Sequence, residues 1–160
     1  NNNQIMNLCC KICERVVQSK RKKGISFLLK SNIISFFYSL KESISFISYK
    51  RFMHLASKCI IKGSKSQVVS TLSMIPLAEF AQYASVLDKE EAVPFLKKIS
   101  DTILLDFETN KNEIIIDEKT YKELVDLSNQ ESEEEDQITV FLDSISPLFK
   151  QSELDNENDS

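Results

Sequence analysis

The segment Tyr49 to Ile61, YKRFMHLASKCII, places Phe52, Met53, Ala56 and Ile60 on one helical stripe, with Leu55 and Cys59 beside it. Apolar residues at i, i+3, i+4 and i+7 specify a helix buried along one side. The pattern recurs. At an offset of 43, FLKKISDTIL sets Phe95 against Phe52, Leu96 against Met53, Ile99 against Ala56 and Ile103 against Ile60. At an offset of 44 in the other direction, LCCKICERVV sets Leu8 against Phe52, Ile12 against Ala56, and Val16 and Val17 against Ile60 and Ile61. Three such helices at one period predict stacked units that bury each other's apolar faces. The competing expectation is a non-repeating helical bundle whose core helices look alike.

The rest of the chain agrees with helices. It has two glycines and three prolines in 160 residues, too few for the turns of a strand-rich fold or for a Gly-rich phosphate loop. The first helix is expected from Ile5 to about Ser19, with Ile5, Leu8, Cys9, Ile12, Cys13 and Val16 inward. Lys20 to Gly24 follows as a connection. Phe27 to Leu40 is apolar on more than one side, and Ser31-Asn32 is expected to cap and divide it. Gly63 is the expected left-handed cap of the organising helix. Ser66 to Leu72 and Pro76 to Leu87 read as a short and a long helix, the latter with Leu77, Phe80, Ala81, Ala84 and Leu87 buried. A further helix runs from Glu91 to Leu105.

Each unit then consists of a short, a longer and an amphipathic helix. IISFFYSL, followed by a linker and YKRFMHLASKCI, resembles the second and third helices of an armadillo repeat. The likeness is to the armadillo/HEAT superfamily as a class and covers Ile5 to Leu105. More loosely, it is similar to the armadillo-like segments upstream of the catalytic part in some HECT-type ubiquitin ligases. The resemblance implies an all-α solenoid of about three repeats that binds other proteins along an extended surface. The later unit lacks the glycine usual between the first two helices. The chain also lacks tryptophan and a regular Asn ladder, which sets it apart from the type that reads nuclear localisation peptides.

The expected domains are repeats over 1–105, a loop and an additional helix over 106–130, and an acidic, partly disordered tail over 131–160. In the middle segment, EIII is a short strand or an extended arm. Tyr121, Leu124, Val125 and Leu127 face inward from the additional helix. In the tail, Val140 to Phe149 is either one more repeat helix or a docking peptide, and Ser132 among acids suits an acid-directed kinase.

Charge divides sharply. Up to Gln67 there are 13 Lys/Arg against two acids, Glu14 and Glu42, a net of +11; from Val68 onward there are 7 Lys/Arg against 22 acids, a net of −15. Lys20, Arg21, Lys22 and Lys23 follow the first repeat helix, and Lys58, Lys62 and Lys65 stand at the corresponding end of the second. Stacking in parallel would merge them into one ridge, with Asp106 and Glu108 changing its sign in the third unit. This ridge is the candidate docking surface for a protein or acidic peptide; the plain alternative is a solvated rim. Nucleic acid or phosphoinositide is the second choice, because no aromatic residue interleaves with KRKK.

No cofactor or metal site is expected. Cys10-x-x-Cys13 lies on a continuous apolar helix, lacks the second ligand pair of structural zinc, and reads as core packing. His54, the only histidine, has no nucleophile and orienting group around it, so no catalytic residue is assigned and the chain reads as a non-enzyme. The bunched cysteines form no disulfide framework, and the opening NNNQ is not a secretory signal. An intracellular setting, cytoplasmic or nuclear, is expected for what reads as a fragment of a larger protein. No apolar run reaches spanning length, since Lys30, Lys41 and Glu42 interrupt Ile25 to Ile47.

Overall fold

The computed structural model describes residues 1–111, 113–114, 116–130 and 137–158, and side chains of the last helix as far as Leu148. Among the described residues there are helices and no strand. The helices are α1 (Asn2–Lys20), α2 (Lys22–Lys30), α3 (Ile33–Ser39), α4 (Phe46–Lys62), α5 (Lys65–Met74), α6 (Leu77–Ser85), α7 (Lys89–Glu108), α8 (Glu118–Ser128) and α9 (Gln137–Asn158). A single 3-10 turn, Lys41–Ser43, joins α3 to the start of α4. The all-α expectation therefore holds.

The chain divides into two compact units, Asn1–Tyr83 and Ala84–Ser160. Residue 105, where the composition changes, falls inside α7. Charge follows the units. The first carries 13 Lys/Arg against Glu14, Glu42 and Glu79, a net of +10, and the second 7 Lys/Arg against 21 acids, a net of −14.

In the first unit α1 packs on α4, and the two run parallel. At their starts, the Ser45 backbone N–H donates to Asn3 Oδ1 at 2.7 Å. At their ends, Lys20 and Lys62 line the same groove. The organising helix is longer than the periodicity indicates because Ser45 caps it, its side chain accepting from the Ser48 N–H. Phe52, Met53, Leu55, Ala56, Cys59 and Ile60 are all buried. Phe52 is covered by Phe37 of α3, edge to face, with centroids 6.1 Å apart.

The face of α1 differs from expectation. Met6, Cys10, Cys13 and Val17 are buried, while Ile5, Leu8 and Ile12 are 60, 60 and 53% exposed. Two apolar stripes overlap on this helix, and the one carrying the smaller sulfur side chains faces α4. Cys10 donates to Met6 Sδ across one turn of this seam.

Ser31 and Asn32 do divide α2 from α3, with Asn32 in the left-handed region at φ 61°. Gly63 does not act as a left-handed cap. Its φ is −76°, and glycine is needed there because a Cβ would stand 2.3 Å from the Cys59 carbonyl oxygen. Gly24 has a similar role between elements: a Cβ on it would lie 2.6 Å from the Val16 carbonyl oxygen, so glycine lets α2 cross α1 closely.

A polar clamp closes the unit. Glu79 on α6 accepts from Lys41 and from the Tyr49 hydroxyl. The Glu79 hydrogen bond raises the Lys41 pKa; burial, then Glu79, raises that of Tyr49. His54, on the exposed side of α4, meets the Tyr83 hydroxyl through Nδ1 at 3.2 Å.

In the second unit α9 packs on both α7 and α8. Leu124 is buried on α8, with Tyr121, Val125 and Leu127 partly so. The apolar stretch in the tail is a packed helix, burying Ile138, Phe141, Leu142 and Ile145. The acidic run 131–136 with Ser132, and the side chain of Phe149, lie outside the described residues. Asp106 is not a surface charge as expected. It is 2% exposed and accepts the N–H groups of Glu113 at 3.3 Å and Ile114 at 3.0 Å, fastening the loop after α7.

Candidate functional site

The basic cluster KRKK is not a loop. α1 runs through Lys20 and α2 begins at Lys22, so Arg21 alone forms the joint. Arg21 has φ 49° and ψ −124°, a conformation L side chains rarely adopt, and its N–H still donates to the Val17 carbonyl at 2.8 Å. The joint holds because α2 is clamped from the other side. Gln67, on α5, donates through Nε2 to the Lys22 carbonyl at 2.7 Å and to Ser26 Oγ at 2.8 Å, while its Oε1 accepts from the Ser64 N–H. Ser64 in turn accepts from Gln67 N–H, completing a capping box at the start of α5.

These contacts set Lys20, Arg21, Lys22 and Lys23 around one groove of about 700 Å³ with Gln18 and Lys62. Lys62 is 39 residues from Lys23 in sequence and arrives there because α4 runs parallel to α1. None of the five cations is paired with a carboxylate among the described residues. Lys58 is half-buried one turn earlier on α4, and Lys65 half-buried at the first position of α5. Neither lines the groove, so five of the seven candidate residues converge.

A second, adjoining groove of about 500 Å³ is lined by Lys22, Lys23, Ser26, Phe27, Lys30 and Gln67. Phe27 is 59% exposed there. The expectation that no aromatic residue accompanies the basic cluster is therefore corrected. Phe27 follows Lys23 by one helical turn and precedes Lys30 by another, a spacing hidden while KRKK is taken for a loop.

Arg21→Gly would separate strain from charge. Glycine adopts positive φ without a Cβ clash, so the variant is expected to be more stable by about 1 kcal/mol or less. It would also bind acidic ligands more weakly. Urea unfolding midpoints beside peptide affinity check both; a drop in stability would mean that the Arg21 side chain supplies packing.

The cysteines offer no reactive thiol in the core. Burial raises the pKa of Cys10 to about 12, with Cys13 and Glu14 adding to it, and burial raises Cys59 to about 12. Among the described residues, no group of three or more His, Cys, Asp or Glu could hold a metal ion. No helix among them is long and apolar enough to cross a membrane. No protein-family model matches the chain, and no curated protein or solved structure shows a significant match to it.

Proposed function

We propose that this chain is a non-catalytic protein-interaction module of the armadillo/HEAT-like solenoid type, a scaffold or adaptor that receives an acidic segment of another protein. One observation carries this reading: Lys20 to Lys23 and Lys62, far apart in sequence, share one groove because α1 and α4 lie parallel. A surface of five cations, unpaired among the described residues, needs an anionic counterpart that is flexible enough to follow it, as an acidic peptide is. An intracellular setting, cytoplasmic or nuclear, belongs to the same reading. The second reading, nucleic acid or phosphoinositide on the basic face, is favoured by Phe27 between Lys23 and Lys30, where a base or acyl group could rest.

The test is a titration of the full chain with a labelled poly-glutamate peptide and with generic single-stranded DNA at rising salt. The proposal expects the peptide to bind and to weaken steeply as the groove's charges are screened. DNA binding far tighter than peptide binding, lost on Phe27→Ala, would replace the proposal with the second reading.

A further inference from the structure

The apolar stripe that periodicity assigns to the core of α1 lies on its outside. At about 100° per residue, Ile5, Leu8 and Ile12 fall on one side of the helix, with half-buried Cys9 and Val16 next to them. A lone exposed aliphatic residue is ordinary, but a row over two turns marks an interaction surface. Helix propensity does not ask for it, since isoleucine is a poorer helix former than the lysine and glutamine around it.

The sequence pairing with α4 says what such a row is for. Leu8 and Ile12 pair with Phe52 and Ala56, both fully buried, and Phe52 lies under an aromatic ring of a neighbouring helix. The same pattern is thus covered by a helix in α4 and bare in α1. Along one edge of the bare stripe stand Lys11 and Arg15, both exposed and neither paired with a carboxylate among the described residues. Asn1 to Cys10 contains no acid.

We propose that the Ile5–Leu8–Ile12 face docks one amphipathic helix of another protein, with an apolar stripe facing Leu8 and carboxylates along the flank that meets Lys11 and Arg15. A helix fits because its own i, i+3, i+7 ridge matches that of α1. A second copy fits less well, since α1 offers Glu14 alone against Lys11, Arg15 and Lys20. No lysine of the basic groove takes part, so this surface stands apart from the proposed function.

The full chain is titrated by fluorescence anisotropy with a synthetic helical peptide carrying leucines at i, i+3, i+4 and i+7 and glutamates along one flank. A twin peptide carries lysines on that flank. The glutamate peptide is expected to bind about tenfold or more tightly than its twin. Leu8→Asp and Ile12→Asp are each expected to weaken it by about tenfold or more while leaving the unfolding midpoint unchanged. Lys11→Glu with Arg15→Glu is expected to reverse the order of the two peptides. Equal binding of both peptides, or indifference to Leu8→Asp and Ile12→Asp, overturns the proposal. So does peptide binding lost on charge reversal at Lys20 to Lys23 but not on Leu8→Asp, which would place the peptide in the groove. A dimer in sedimentation that Leu8→Asp dissolves overturns it too, since a second copy would then hold the face.

Discussion

Replacing Lys20, Arg21, Lys22 and Lys23 together by glutamate is expected to weaken binding of the acidic peptide strongly while leaving the fold intact. The change takes the first unit from a net of +10 to +2. It also inverts the sign of four of the five cations around the groove. Each exposed charge contact contributes about 0.2–1 kcal/mol, and reversal replaces attraction by repulsion, so about 2–4 kcal/mol of binding free energy is lost. That is roughly 30- to 1000-fold in affinity. Stability should hardly move, because two terminal effects oppose each other. Glutamate at position 20 faces the negative end of α1 and is unfavourable. Glutamates at 22 and 23 sit in the first turn of α2, where the helix dipole favours them. Lys119→Glu with Lys122→Glu, two exposed changes on α8 in the second unit, serves as the control and should leave affinity within a few-fold. Calorimetric titration decides it: a quadruple variant that binds the peptide as tightly as the original chain would remove the groove from consideration.

The helices were largely legible in the sequence, and their faces less so. Period and caps locate α4, α6 and α7 because each has one dominant stripe, and Ser31-Asn32 marks its break by residue type alone. α1 misleads because it carries two stripes one position apart. Isoleucine and leucine outrank cysteine and methionine on any transfer scale, yet the seam with α4 takes the cysteine side. Partner geometry decides that, and no local pattern encodes it. Gly63 departs from the left-handed cap for a related reason, since its need comes from the Cys59 carbonyl rather than from its own φ. The basic site was legible in composition, but its shape was not. A single strained residue, Arg21, makes the joint, and Gln67 holds it from 45 residues beyond Lys22. Asp106 shows the converse case. Taken as part of a charged ridge, it is spent on two backbone N–H groups of its own loop. The likeness of α1 and α4 nonetheless survives in one physical respect, because they lie side by side and parallel. This supports the stacked arrangement proposed here for the first unit.

That likeness leads to a paired stability measurement. Phe52→Ala is expected to cost about 3–5 kcal/mol, because a fully buried aromatic side chain is removed and leaves a cavity under Phe37. For a unit with a typical total of about 5–15 kcal/mol, that cost brings the first unit close to unfolding. Leu8→Ala, at the position the sequence pairs with Phe52, is expected to stay within about 0.5 kcal/mol, since Leu8 is 60% exposed. The two substitutions therefore weigh sequence likeness against observed packing. If the paired positions were equivalent in the folded chain, both would be severely destabilising. Urea unfolding followed by circular dichroism gives each value. A Leu8→Ala cost of several kcal/mol would mean that the stripe is buried after all, and that α1 meets α4 through Leu8 and Ile12 rather than through Cys10 and Cys13.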